Sequence, residues 1–153
     1  MTEPTRLNRR TVLRATGATL AVSLAGCAGD NGGEEFDFVD AEPDYDGWFD
    51  DVANYEGTVD ATDRDEVTIE VGAGDGLQYA PPAVQITPGT RVVWEWTGEG
   101  GDHNVAAEDG RFESETRGDA GFEFEHTFDE GGTLLYVCTP HEAVGMKGAV
   151  VVE

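Results

Sequence analysis

An antiparallel β-sandwich is the fold class this sequence predicts, and two observations predict it. Short apolar runs alternate with polar residues at a period of two, the mark of strands with one buried face. Clusters of Gly, Pro and Asp break these runs at close spacing, as an all-β sandwich requires. The length, 153 residues with no internal repeat, sets the scale: one modest domain with room for a real core, plus extras.

The folded part is expected to span residues 45–153. It opens at Asp46-Gly47-Trp48-Phe49-Asp50-Asp51-Val52, where the aromatic pair serves the core rather than a cofactor. Val67, Ile69 and Val71 then share one face of a strand, with Thr68 and Glu70 on the other. Val92, Trp94 and Trp96 repeat the pattern, with Arg91 and Glu95 outward. Further runs lie at Ala83 to Thr87, Phe122 to Phe128, Thr133 to Cys138 and Gly148 to Val152. Leu134, Tyr136 and Cys138 fall on one face, so the thiol ends an inward row at the lip of the sandwich.

Upstream, residues 1–26 place Arg9-Arg10 ahead of a small, apolar run, the pattern of a twin-arginine export signal. A transmembrane helix is the weaker alternative, because the run falls short of the roughly 20 residues that span a bilayer. Leu24-Ala25-Gly26-Cys27 resembles a lipoprotein processing site, at which Cys27 becomes the lipidated first residue. A freely secreted product is the alternative, since one lipid chain binds only marginally. Residues 27–44 are Gly-rich and acidic and should form a solvated tether, with Phe36 and Phe38 the exceptions able to pack on the domain. The expected location is the extracytoplasmic face of the cell membrane, anchored at Cys27.

The formal net charge is −23, and removing the +3 carried by residues 1–26 leaves −26. Lys147 and four arginines are then the whole positive complement, which argues against a nucleic-acid partner. Such acidity either steers a basic partner or keeps the protein soluble in brine. Salt decides between them, because at molar ionic strength the Debye length is about 3 Å and solvation would be the role in a halophilic host.

Cys138-Thr139-Pro140-His141-Glu142-Ala143-Val144-Gly145-Met146, read with His103-Asn104, brings one thiol, two imidazoles and one thioether toward a single point. Thiolate and thioether are soft donors that suit copper, and two His and one Cys with a weak axial Met make a blue-copper ligand set. Gly145 and Gly148 allow the turn that brings Met146 back, and Pro140 stiffens the segment between Cys138 and His141. The bland alternative is a buried thiol beside a surface histidine. His126, the third histidine and the rival ligand, alternates with Phe122, Phe124 and Phe128, which favours a structural role satisfied by a local hydrogen bond.

The pattern Cys-Thr-Pro-His-x-x-x-Gly-Met-x-Gly at 138–148, the upstream His103-Asn104-Val105 and Val92-Val93-Trp94-Glu95-Trp96-Thr97-Gly98-Glu99-Gly100-Gly101 resemble the halocyanins. These are small blue copper proteins of halophilic archaea, similar to plastocyanin and amicyanin. The resemblance covers residues 45–153. It implies a Greek-key, cupredoxin-like sandwich holding one copper through His103, Cys138, His141 and Met146. It further implies a monomeric electron carrier serving redox proteins of a membrane electron-transport chain. Asn104 would tie the His103 loop to the cysteine loop, an ordinary turn residue being the alternative. Electrons would pass at the edge of His141, inside an apolar rim of Pro140, Ala143 and Val144 with Pro81, Pro82 and Ala83. Plastocyanins often carry Tyr before the copper cysteine; Val137 stands there instead, which weakens any acidic remote docking route.

Copper storage or delivery is the alternative function, although such proteins favour exchangeable, Met- or Cys-rich sites. An enzyme is not expected: three histidines cannot build a second copper cluster, and Cys138 and His141 on one tight loop are poorly placed for hydrolysis.

Overall fold

The computed structural model describes residues 36–153, which form one compact unit. The expected export signal, Cys27 and the first part of the tether lie outside the described residues. Nine strands follow in order: β1 (Val59–Asp60), β2 (Glu66–Ala73), β3 (Gln78–Ala80), β4 (Ala83–Ile86), β5 (Thr90–Trp96), β6 (Ala106–Ala107), β7 (Glu123–Phe128), β8 (Gly132–Val137) and β9 (Lys147–Val152). They make a five-stranded sheet, β1-β4-β9-β8-β6, and a four-stranded sheet, β3-β2-β5-β7. The domain is therefore the expected β-sandwich.

Its pairing is mixed rather than purely antiparallel. β1 with β4, β2 with β5 and β4 with β9 run parallel. The cause is connectivity: after β2 the chain turns through β3, crosses to β4 in the facing sheet and returns as β5 beside β2, in the same direction. Such a return by way of the other sheet replaces the tight hairpin that antiparallel neighbours use.

The core lies between the sheets. Val67, Ile69, Val71, Val92, Trp94 and Trp96 face Val84, Ile86, Leu134, Tyr136, Val150 and Val152. Trp94 sits at the centre, edge-on to Tyr136 at 5.4 Å and tilted against Phe112 at 5.6 Å. Full burial of each such side chain contributes about 1.5–3 kcal/mol, enough to set the register of both sheets.

The N-terminal boundary differs from the expected one, because residues 36–44 belong to the domain. Phe38 bridges Val59, Val39 N–H donates to Thr58 O at 2.9 Å, and Asp60 N–H to Asp37 O at 2.8 Å. Phe36 packs on the core under the Arg64 guanidinium, 4.5 Å from its ring. The Glu42 carboxylate accepts hydrogen bonds from the Tyr55 and Thr58 hydroxyls and from Thr58 N–H. Acidic composition hid this clamp, since Glu42 reads as a solvated charge until its partners are known.

Residues 45–55 follow as successive turns across the outer face of the five-stranded sheet. Phe49 and Val52 bury there with Ala83 and Ala149 in a second, smaller cluster, with Trp48 packed against it.

Candidate metal centre

β8 carries Leu134 and Tyr136 inward, and Cys138 ends that row fully buried at the end of the sandwich. Its N–H donates to Met146 O at 3.0 Å, closing the loop between β8 and β9. Inside the loop, Thr139–Val144 forms a short 3-10 helix with Pro140 in its first turn. Gly145 ends it at φ 87°, with its N–H on Glu142 O at 3.0 Å, and Met146 N–H reaches His141 O at 3.3 Å. Glycine takes that left-handed angle without strain. The turn leaves Met146 fully buried in the same cluster as Cys138.

His103 comes from the loop after β5. A backbone bridge to Arg117 fixes it from both sides, at 2.8 and 2.9 Å, and its carbonyl accepts from Trp96 Nε1–H at 3.2 Å. His103 Nε2 lies 2.7 Å from Glu99 O and donates its proton there. That bond fixes the tautomer, so Nδ1 offers its lone pair to the site. β2 makes room for this arrangement with a register shift between Val71 and Ala73, where Gly72 has φ 93°. A Cβ on Gly72 would stand 2.7 Å from Thr97 Oγ1, 2.8 Å from Glu99 O and 3.2 Å from His103 Nε2.

Cys138 Sγ lies 3.7 Å from His103 Nδ1 and 3.5 Å from His141 Nδ1, and the three donors fall within 4.8 Å of one another. Metal bonds of about 2.0–2.3 Å opened at roughly 120° put donors about 3.6 Å apart. The separations therefore fit one shared ion, and the donor chemistry fits copper. His103, Cys138, His141 and Met146 form the ligand set.

Burial pushes the Cys138 thiol up from its ordinary range, and backbone hydrogen bonds from Asn104 and His141 oppose the shift. Burial pulls the His141 imidazole down, helped by neighbouring His103. Both shifts favour the uncharged form of the free side chain, and a bound metal would displace the thiol proton.

Asn104 joins the two ligand loops. Its Oδ1 accepts Thr139 N–H at 2.7 Å, and its Nδ2 donates to Thr139 Oγ1 at 3.2 Å. Its carbonyl accepts the Tyr79 hydroxyl at 2.5 Å. His141 is half-buried, beside exposed Pro140 and Ala143 and a Val144 that is 59% exposed. Ala83 does not belong to any rim: it is fully buried under Phe49 in the second cluster. His126 stays out of the donor cluster, in β7, where it lies tilted against Phe112 at 5.1 Å and edge-on to Phe128 at 4.7 Å. Among the described residues aromatic packing, rather than the expected hydrogen bond, holds its ring.

Sequence reasoning missed Glu99, Gly72 and Tyr79. Glu99 acts through its carbonyl, which no side-chain pattern reports. Gly72 did leave a signal, as the residue that breaks the alternation of β2.

Residues 65–153 match the family of copper binding proteins described as plastocyanin/azurin. Halocyanin of Natronomonas pharaonis is 46% identical over 160 residues, covering 96% of this chain and 98% of its own. Plastocyanin of Scenedesmus fuscus is 31% identical over 99 residues, 58% of this chain and all (100%) of its own. Among solved structures, a mutant plastocyanin of fern superposes with a TM-score of 0.51 at 20% identity, over 56% of this chain and 99% of that one, a likeness of fold. Matched across its copper-ligand loops and over nearly the full length of a halocyanin, the chain belongs to the plastocyanin/azurin family of copper-binding proteins.

Proposed function

We propose that this protein is a blue copper electron carrier that passes single electrons between redox proteins of a membrane electron-transport chain. One observation carries the reading: a buried thiol sits 3.5 and 3.7 Å from two imidazole nitrogens, in a frame fixed from two loops. Bound copper would supply a one-electron Cu(I)/Cu(II) couple. The chain's part is to hold donors still and exclude water. Cys138, His103 and Met146 are closed from solvent, Asn104 locks loop to loop, and the Glu99 carbonyl holds the His103 ring. Little rearrangement then accompanies a change of charge.

Electrons enter and leave at the half-buried edge of His141, where Val144, Pro140 and Ala143 offer an apolar contact. Four donors from the chain leave no open position for a substrate, which favours a carrier over an enzyme. The protein works as a monomer, tethered by a lipid on Cys27 at the extracytoplasmic face of the membrane after twin-arginine export.

Copper titration of the purified domain tests the reading. One equivalent should produce an intense visible thiolate-to-copper band that bleaches on reduction and returns on oxidation. Tight copper binding without that band would point to storage or delivery instead.

A further inference from the structure

Residues 45–55 precede the span 65–153 that matches the family model, yet they grip the Met146 loop directly and the His103 loop by way of Tyr79. Their turns are closed by Trp48 N–H to Tyr45 O at 3.0 Å, Asp50 N–H to Gly47 O at 3.1 Å and Val52 N–H to Phe49 O at 3.0 Å. Phe49 and Val52 seat them on the outer face of the five-stranded sheet.

From that seat the first arm reaches both sides of Met146. The Asp51 carbonyl oxygen lies so close to Gly145 that a Cβ there would stand 2.1 Å from it. The Asp51 carboxylate takes Lys147 Nζ at 3.1 and 3.4 Å, and Lys147 Nζ stands 5.0 Å over the Trp48 ring. Trp48 Nε1–H donates to Gly148 O at 3.1 Å. The second arm is Asn54, whose Nδ2 donates to Tyr79 O at 2.8 Å, while the Tyr79 hydroxyl holds the carbonyl of Asn104 beside His103.

We propose that residues 48–54 are a brace that positions Met146, and secondarily the His103 loop, and so governs metal retention and the potential of the site. The inference rests on the blue copper reading. Its physical basis is donor strength: the Met146 thioether would be the weakest of the four donors and would restrain its own position poorly, so the protein must supply the restraint. Gly145 alone cannot supply it, because glycine at a left-handed angle is the freest hinge in the loop. Asp51 closes that hinge by packing its backbone where a side chain would otherwise lie. Trp48, Asp51 and Asn54 are positioning residues, since none is a ligand.

The test compares full-length Trp48→Phe and Asp51→Ala with Tyr45→Phe. Tyr45 belongs to the same aromatic cluster, but its hydroxyl bonds Thr58 at 2.6 Å. In the metal-free proteins, amide hydrogen exchange at Gly145 and Met146 should accelerate in the first two variants, with Val150 unchanged. In the copper-loaded proteins, release to a chelator should quicken on the order of tenfold, the usual cost of losing support behind a ligand, and the potential should shift. Tyr45→Phe should lower Tm and leave release, potential and loop exchange alone. If all three variants lose Tm alike while release and loop exchange stay at wild-type rates, residues 48–54 are ordinary packing and the proposal is overturned. Should wild-type protein show no thiolate-to-copper band, the blue copper reading fails separately, and exchange in the metal-free chain still decides whether the brace holds Met146.

Discussion

Cys138 supplies the colour and Met146 tunes it, so their replacements should part company. Cys138→Ser is expected to fold and to lose the intense visible band, because serine oxygen offers copper no soft thiolate; a variant that kept the band would falsify the ligand assignment. Met146→Leu should stay blue with a raised potential by redox titration, and a lowered or unchanged potential would remove Met146 from the set. Gly72→Ala should cost about 1–3 kcal/mol for its left-handed angle alone. Its new methyl would also press on the bond between His103 Nε2 and Glu99 O, so the copper spectrum should change with the stability. Chemical denaturation and absorption together check this. What was legible at this scale is the chemistry that side chains announce: Cys138, His141 and Met146 sit within one nine-residue stretch. What was not legible is the support given by backbone atoms, such as the Glu99 carbonyl, or by an absent side chain at Gly72.

At the scale of elements, the N-terminal clamp should be sensitive to acid. Burial works to raise the Glu42 carboxyl, but hydrogen bonds from Thr58 and Tyr55 outweigh it and hold it below its ordinary value. A carboxyl held low in the folded state stabilises that state above its unfolded value and loses the contribution as protons return. The clamp should therefore loosen as the pH falls below about 4.3, seen as faster amide exchange at Thr58, and Glu42→Gln should abolish that pH dependence. Exchange at Thr58 that is indifferent to pH in wild type would dismiss the clamp. Alternation exposed β2 and β5 because Val67, Ile69 and Val71, and Val92, Trp94 and Trp96, each have a core face with charged residues opposite. It reported faces and not partners, so the parallel pairing of β2 with β5 stayed hidden. The two-residue strands β1 and β6 are too short to show any period. Residues 45–55 pack as turns through aromatic side chains, which leaves no period at all.

For the whole molecule, a net charge of −23 and the apolar contact proposed at His141 make different demands of a partner. Charge steering fades within about 3 Å at molar salt, whereas apolar contact does not. Val144→Asp should slow electron exchange with the natural partner at high salt while the copper spectrum stays intact, and Glu70→Gln, on the outer face of β2, should matter little. The reverse pattern in stopped-flow exchange would move the port elsewhere. Cys27→Ser should shift the protein from membrane to medium with an unaltered spectrum; an unchanged distribution would mean attachment by protein contacts. The position of β9 adds a constraint of timing. It comes after every other strand of the described residues, yet it lies at the middle of its sheet, between β4 and β8. A growing chain therefore cannot close that sheet, or offer Met146 beside Cys138, until residues 147–152 have emerged from the ribosome. Before then Cys138 and the Met146 turn lie on an open sheet, so the four-donor pocket is complete only once β9 is in place.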